Sequence, residues 1–134
     1  MMEQKLAQIS EARRAVLRMD ETERPRLVVL AVGGSVVWLM ATLGPLLGLM
    51  LLQAYYLVVT DRSVYVLSGP RNAGGPRKVL HVVPLAEAAG LVARVKHGTG
   101  WNSLWLRLPG RRRPLRMKVS FQSRAELDRF VAKF

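Results

Sequence analysis

The chain has 134 residues and a formal net charge of +12, with half of its residues hydrophobic and no cysteine. That length holds one domain plus an attachment and excludes two full domains. The lack of cysteine excludes disulfides, thiolate metal sites and catalytic thiol chemistry, and leaves the redox compartment open.

Charge and hydrophobicity occupy different stretches. Residues 1–26 hold six Lys/Arg against five Asp/Glu, residues 27–60 hold no charged residue, and residues 61–134 hold fifteen Lys/Arg against four Asp/Glu. So large a positive excess attracts phosphate, whether in lipid headgroups, nucleic acid or an acidic protein. Three regions follow: an N-terminal amphipathic helix (1–26), a membrane anchor (27–54) and a basic β-domain with a C-terminal helix (55–134).

In the first region, Leu6, Ile9, Arg13, Val16 and Leu17 recur at helical spacing over residues 2–19, and DETERP ends the pattern. Such a helix is expected to lie on a membrane or against the β-domain, or to be an ordinary solvated helix. The second region reads LVVLAVGGSVVWLMATLGPLLGLMLLQA. It exceeds the roughly 20 apolar residues that cross a bilayer as a helix, and it is too long and too far along the chain for the core of a cleaved signal. Pro45 removes a helical hydrogen bond, so a break at Gly44-Pro45 is expected. Arg14, Arg18, Arg24 and Arg26 precede the run and Arg62 and Arg71 follow it. Keeping both flanks on the cytoplasmic side favours a helical hairpin over a single tilted, kinked helix. The expected location is the cell membrane, with the basic domain on the cytoplasmic face.

In the third region the pattern changes to period two with turn punctuation. Strands are expected at 55–60, 64–67, 78–83, 91–96, 101–108 and 115–121, six in all. Between them lie a turn at Asp61-Arg62, the loop SGPRNAGGPR, a connector at 84–90, and the turns HGTG and PGRRRP. Ser123 with Glu126 three residues on forms a capping-box pattern, and Leu127, Phe130, Val131 and Phe134 make the stripe of a closing helix.

YLVVTDRSVYVL, the basic Gly-rich loop, KVLHVVPLAEAAGL, the WNSLWLRLPG hairpin and SRAELDRFVAKF together resemble the bacterial pleckstrin-homology-like (PH-like) domains. The resemblance covers residues 55–134 and rests on the order of elements. It implies a mainly β fold with helices: a bent β-sandwich or partly open barrel capped by the C-terminal helix, here preceded by the membrane segment. It also implies ligand or peptide contacts through loops and edges, without catalysis.

Residues of equal parity share one side of a strand. Leu115, Met117, Val119 and Phe121 then point inward with Leu104, Leu106 and Leu108, and with Leu91, Ala93 and Val95. The outer side receives Arg94, Lys96, Trp101, Ser103, Trp105, Arg107, Arg116, Lys118 and Ser120, with Arg111, Arg112 and Arg113 at its rim. Symmetric closure of PGRRRP sets Arg107 opposite Arg116 and Trp105 opposite Lys118. Like charges directly opposed are destabilising in a sheet, so such a face asks for an anionic partner. The plainer alternative is that Trp105 stacks beneath Lys118 and Arg107 as surface packing.

Chemistry of other kinds finds little support. His81 and His97 lack a spaced carboxylate partner, so no metal site or cofactor is expected. The domain's acids, Asp61, Glu87, Glu126 and Asp128, form no carboxylate pair for acid–base work, and GPRNAGG lacks the Lys-Ser/Thr ending of a phosphate loop. The expectation is a non-catalytic, membrane-anchored binding or scaffolding module. Its partners would be anionic membrane lipids or a protein. The alternatives are a structural subunit of a homo-oligomer or larger membrane complex, with Gly33-Gly34-Ser35 allowing close helix contact, and a membrane-tethered nucleic-acid binder.

Overall fold

The computed structural model describes residues 2–33, 41–44, 46–47, 53–70 and 75–134. Helix α1 (Met2–Met19) is followed by seven strands: β1 (Leu27–Gly33), β2 (Gln53–Val59), β3 (Ser63–Pro70), β4 (Lys78–Pro84), β5 (Val92–His97), β6 (Trp101–Leu106) and β7 (Leu115–Ser120). A 3₁₀ turn, Leu85–Glu87, separates β4 from β5, and α2 (Arg124–Lys133) closes the chain. All pairings are antiparallel, in the order β4-β3-β2-β1-β7-β6-β5.

The membrane anchor is the principal correction. Its first seven residues form β1, which pairs with β2 from Leu27↔Val59 to Val32↔Ala54, and its last two belong to β2. Most of the intervening stretch, including Pro45, Gly34 and Ser35, lies outside the described residues. Among the described residues no helix is long and apolar enough to cross a membrane. The expected membrane-spanning helix, the boundary at residue 54 and the membrane location drawn from them are therefore not supported. One sheet runs through both regions: among the described residues, the six strands expected after residue 54 are joined by β1 as a seventh.

The physical reason is burial on two faces. Strands covered on both sides read as near-continuous apolar runs because neither parity meets water. In β1, Val29 and Ala31 enter one core while Val28 and Leu30 enter a second. The same division holds in β2, with Leu57 and Val59 against Tyr56 and Val58, and in β3, with Val64 and Val66 against Tyr65 and Leu67. A bilayer and a doubly covered strand select the same composition.

The first core lies between the two halves of the sheet. The sheet order puts β4 and β5 at opposite edges, about 29 Å apart if flat, at about 4.8 Å per strand. Eight steps of chain from Pro84 to Val92 reach at most about 28 Å fully extended, and part of that path is the compact 3₁₀ turn. The sheet must fold over. Val29, Leu57 and Val66 accordingly share a core with Leu104, Leu106 and Met117, and Leu127 and Phe130 of α2 are fully buried in it.

The second core forms where α1 covers the outer face of β1–β3. Ala12 and Val16 are fully buried there, with Ile9 and Ala15 packed beside them, and the two alanines bring the helix close to the sheet. Leu6 and Leu17, expected on the apolar face, are exposed. The Arg26 side chain donates two hydrogen bonds to the Asp61 carboxylate, 2.9 and 3.1 Å, joining the start of β1 to the β2–β3 turn. That contact holds the Asp61 carboxyl below its ordinary range.

Two-sided burial of β1 gives a direct test. Val28→Ala and Val29→Ala, at opposite parities, are each expected to cost about 2 kcal/mol, from lost methyl burial plus the cavity left behind. Urea denaturation would measure this as a lowered midpoint at constant slope. A neutral result at either position would contradict burial of that face.

Candidate basic–aromatic face

α1 covers β1–β3, whereas the outer side of β5–β7 carries no helix among the described residues. β7 alternates strictly in its first half: Leu115, Met117 and Val119 are buried, Arg116 is exposed and Lys118 half-buried. β6 places Trp101, Ser103 and Trp105 on the outer side, and β5 adds Arg94 and Lys96, both exposed. The register shift between Val92 and Arg94 lets Arg94 stand beside Trp105.

The strand pairings create two rows across the face. In one, Trp105 pairs with Arg94 on one side and Arg116 on the other; in the next, Ser103 pairs with Lys96 and Lys118. The guanidinium carbons of Arg94 and Arg116 stand 5.0 and 5.4 Å from the Trp105 ring centroid, within cation–π range. These groups line a hollow of ≈260 Å³ together with Gly98 and Trp101. Trp101 stands at its edge, 41% exposed.

This register differs by two residues from symmetric closure of the β6–β7 turn. Leu106 pairs with Leu115, so residues 107–114 all belong to the connection. Lys118 consequently faces Ser103 instead of Trp105, and the tryptophan's cations are Arg94 and Arg116 instead of Arg107 and Lys118. Arg107 lies beyond the strand and donates to the Gly90 carbonyl at 3.3 Å. Arg111, Arg112 and Arg113 are exposed in the same connection, at the end of β6 away from Trp101. Six of the ten expected residues, Arg94, Lys96, Trp101, Trp105, Arg116 and Lys118, are thus brought around one hollow. Ser103 and Gly98 join them. Ser103 was legible from its parity with the tryptophans, while Gly98 carries no sequence signal beyond its turn.

No two cations are directly opposed across adjacent strands, because the neutral strand β6 lies between β5 and β7. Repulsion nevertheless persists at Lys118: partial burial, followed by the fields of Arg116 and Lys96, depresses its pKa. Six carboxylates are engaged elsewhere, Glu11 with Arg14, Asp20 and Glu23 with Arg62, Asp61 with Arg26, Glu126 with Lys5, and Asp128 with Arg124. Among the described residues, none of these ion pairs involves Arg94, Lys96, Arg116 or Lys118. His97 Nδ1 lies 3.1 Å from the buried Asn102 side-chain oxygen, on the opposite parity, and the described residues contain no cluster of three metal-ligating side chains.

A lysine whose pKa is lowered in the fold binds its proton less well there than in the unfolded chain. The resulting cost is present below the folded pKa and is relieved as pH rises from that value toward the ordinary 10.5. Raising the pH from neutral into that window should therefore stabilise the protein relative to Lys118→Met, measured as the difference between their denaturation midpoints. A difference that stays constant with pH would contradict the depressed pKa.

No family model matches the chain, and neither does any curated protein or solved structure. The PH-like resemblance is therefore unsupported as a family assignment. The described architecture is a seven-stranded antiparallel sheet with a C-terminal helix.

Proposed function

We propose that this chain is a non-catalytic binding module whose β5–β7 face takes a phosphate-bearing lipid headgroup. The observation that carries this reading is the set of four cations around one hollow, in none of the ion pairs among the described residues, while six carboxylates are engaged at other positions. A phosphate in the hollow would offset the partial burial and the neighbouring cations that depress the Lys118 pKa, and would accept charge-assisted hydrogen bonds from Arg94 or Arg116. The scale of the hollow favours a single headgroup over a polymer tracked along a groove. Trp105 serves as the shelf that holds both guanidinium groups in place.

The test is binding of the full-length chain to vesicles of anionic phospholipid, to neutral vesicles and to a single-stranded oligonucleotide, each across a salt series. Binding to anionic vesicles alone, weakening with salt, is expected. The double variant Arg94→Glu/Arg116→Glu should weaken it by thirty-fold or more, taking about 1 kcal/mol for each cation lost near an anionic surface. Tighter binding to the oligonucleotide, lost in the same variant, would replace the headgroup by nucleic acid. Indifference of all three to the double variant would reject this face as the site.

A further inference from the structure

Among the described residues β1 meets β7 at Val32↔Lys118 and Gly33↔Met117, and on the side of Val119 and Ser120 the two strands part, those two residues pairing with β6. Where the strands part, a cleft of ≈370 Å³ opens between them, with Gln8 of α1 on one wall. Its lining includes Leu30, Val32, Ala54 and Tyr56, and its volume lies in the range of small-molecule pockets, about 300–1,000 Å³.

Two side chains belong to both spaces. Trp101 and Lys118 line the cleft as well as the basic hollow, so the apolar space and the cationic face are contiguous. The other lysine of the cleft is already occupied: Lys5 Nζ is 2.8 Å from Glu126 Oε1 and donates to the Gln122 carbonyl at 2.6 Å. The Ser120 hydroxyl likewise accepts from the Gln122 amide. What these groups leave to a ligand is the apolar wall, the Gln8 amide, the Tyr55 and Ser120 hydroxyls and, at the junction, the Lys118 ammonium. Phe121, 64% exposed, adds apolar surface at the lining.

We propose that the ligand is an anionic amphiphile with one alkyl chain, its phosphate on the β5–β7 face beside Lys118 and its chain in the cleft between β1 and β7. This rests on the headgroup reading above and adds the chemical class of what the headgroup carries. At about 30 Å³ for a water-sized group, the cleft is filled by on the order of ten methylenes, the length of one alkyl chain. Trp101 stands at the junction, where the ligand passes from polar to apolar.

Calorimetric titration of the full-length chain with alkyl monophosphates, from butyl to dodecyl and below their micelle concentrations, tests the assignment. Affinity is expected to rise roughly four-fold per methylene, the equivalent of about 0.8 kcal/mol, and to level off once the cleft is full. Gln8→Trp, which fills the cleft from a half-buried helix position, should flatten this dependence. Arg94→Glu/Arg116→Glu should weaken every member of the series. Butyl and dodecyl phosphate binding equally well would overturn the chain site and leave the headgroup reading standing. A chain-length dependence that persists undiminished in Gln8→Trp would overturn the cleft as its location. Equal binding of an uncharged alkyl glycoside, untouched by the arginine reversals, would overturn both readings.

Discussion

Everything in this molecule depends on β1 being paired on both edges. Along most of its length it pairs with β2, and at its end it passes to β7, so that one strand belongs to both halves of the sheet. Each backbone group must find a partner when buried, and the pairing of Val32 and Gly33 with Lys118 and Met117 supplies those partners where the sheet folds over. Without that ladder the inner core would have one wall, and Leu127 and Phe130 would have no enclosed space to fill.

The same strand fixes where chemistry is possible. Because α1 seals the outer side of β1–β3, the side left without a helix among the described residues is that of β5–β7, where Trp105 lies between two guanidinium groups and Ser103 between two ammonium groups. The cations avoid direct opposition by standing on the strands flanking β6. That arrangement keeps their mutual cost low enough for the sheet to tolerate, and the neighbouring charges only add to the partial burial that depresses Lys118. The parting of β1 and β7 beside Val32 and Lys118 also opens the cleft next to them. Stability and a candidate ligand site thus share a single structural cause.

Much of the β-domain was legible in the chain because its second half obeys a simple rule. Leu115, Met117 and Val119 alternate with Arg116 and Lys118, one side facing a core and the other water, so parity alone placed the cations and tryptophans on one face. Register was harder. PGRRRP suggested a tight closure, whereas the connection takes residues 107–114, and Arg107 is drawn to the Gly90 carbonyl. β1 was concealed altogether, since Leu27–Val32 buries both parities and resembles the start of a membrane span. Its β-branched residues, Val28, Val29 and Val32, and the glycines that follow, Gly33 and Gly34, were the available hints. α1 was recognised by period, but its buried contacts run through Ala12 and Ala15, residues too small to stand out beside Leu6 and Leu17.

Native-state amide hydrogen exchange of the full-length chain addresses the central strand most directly. The account predicts that those amides of Val28 through Val32 that point to β2 exchange as slowly as those of Leu57 in β2 and Met117 in β7, opening only with global unfolding. If Val28–Val32 instead exchanged independently of β2 and β7, unaffected by denaturant that opens those strands, β1 would not be the shared strand, and the fold and both proposed sites would have to be rebuilt.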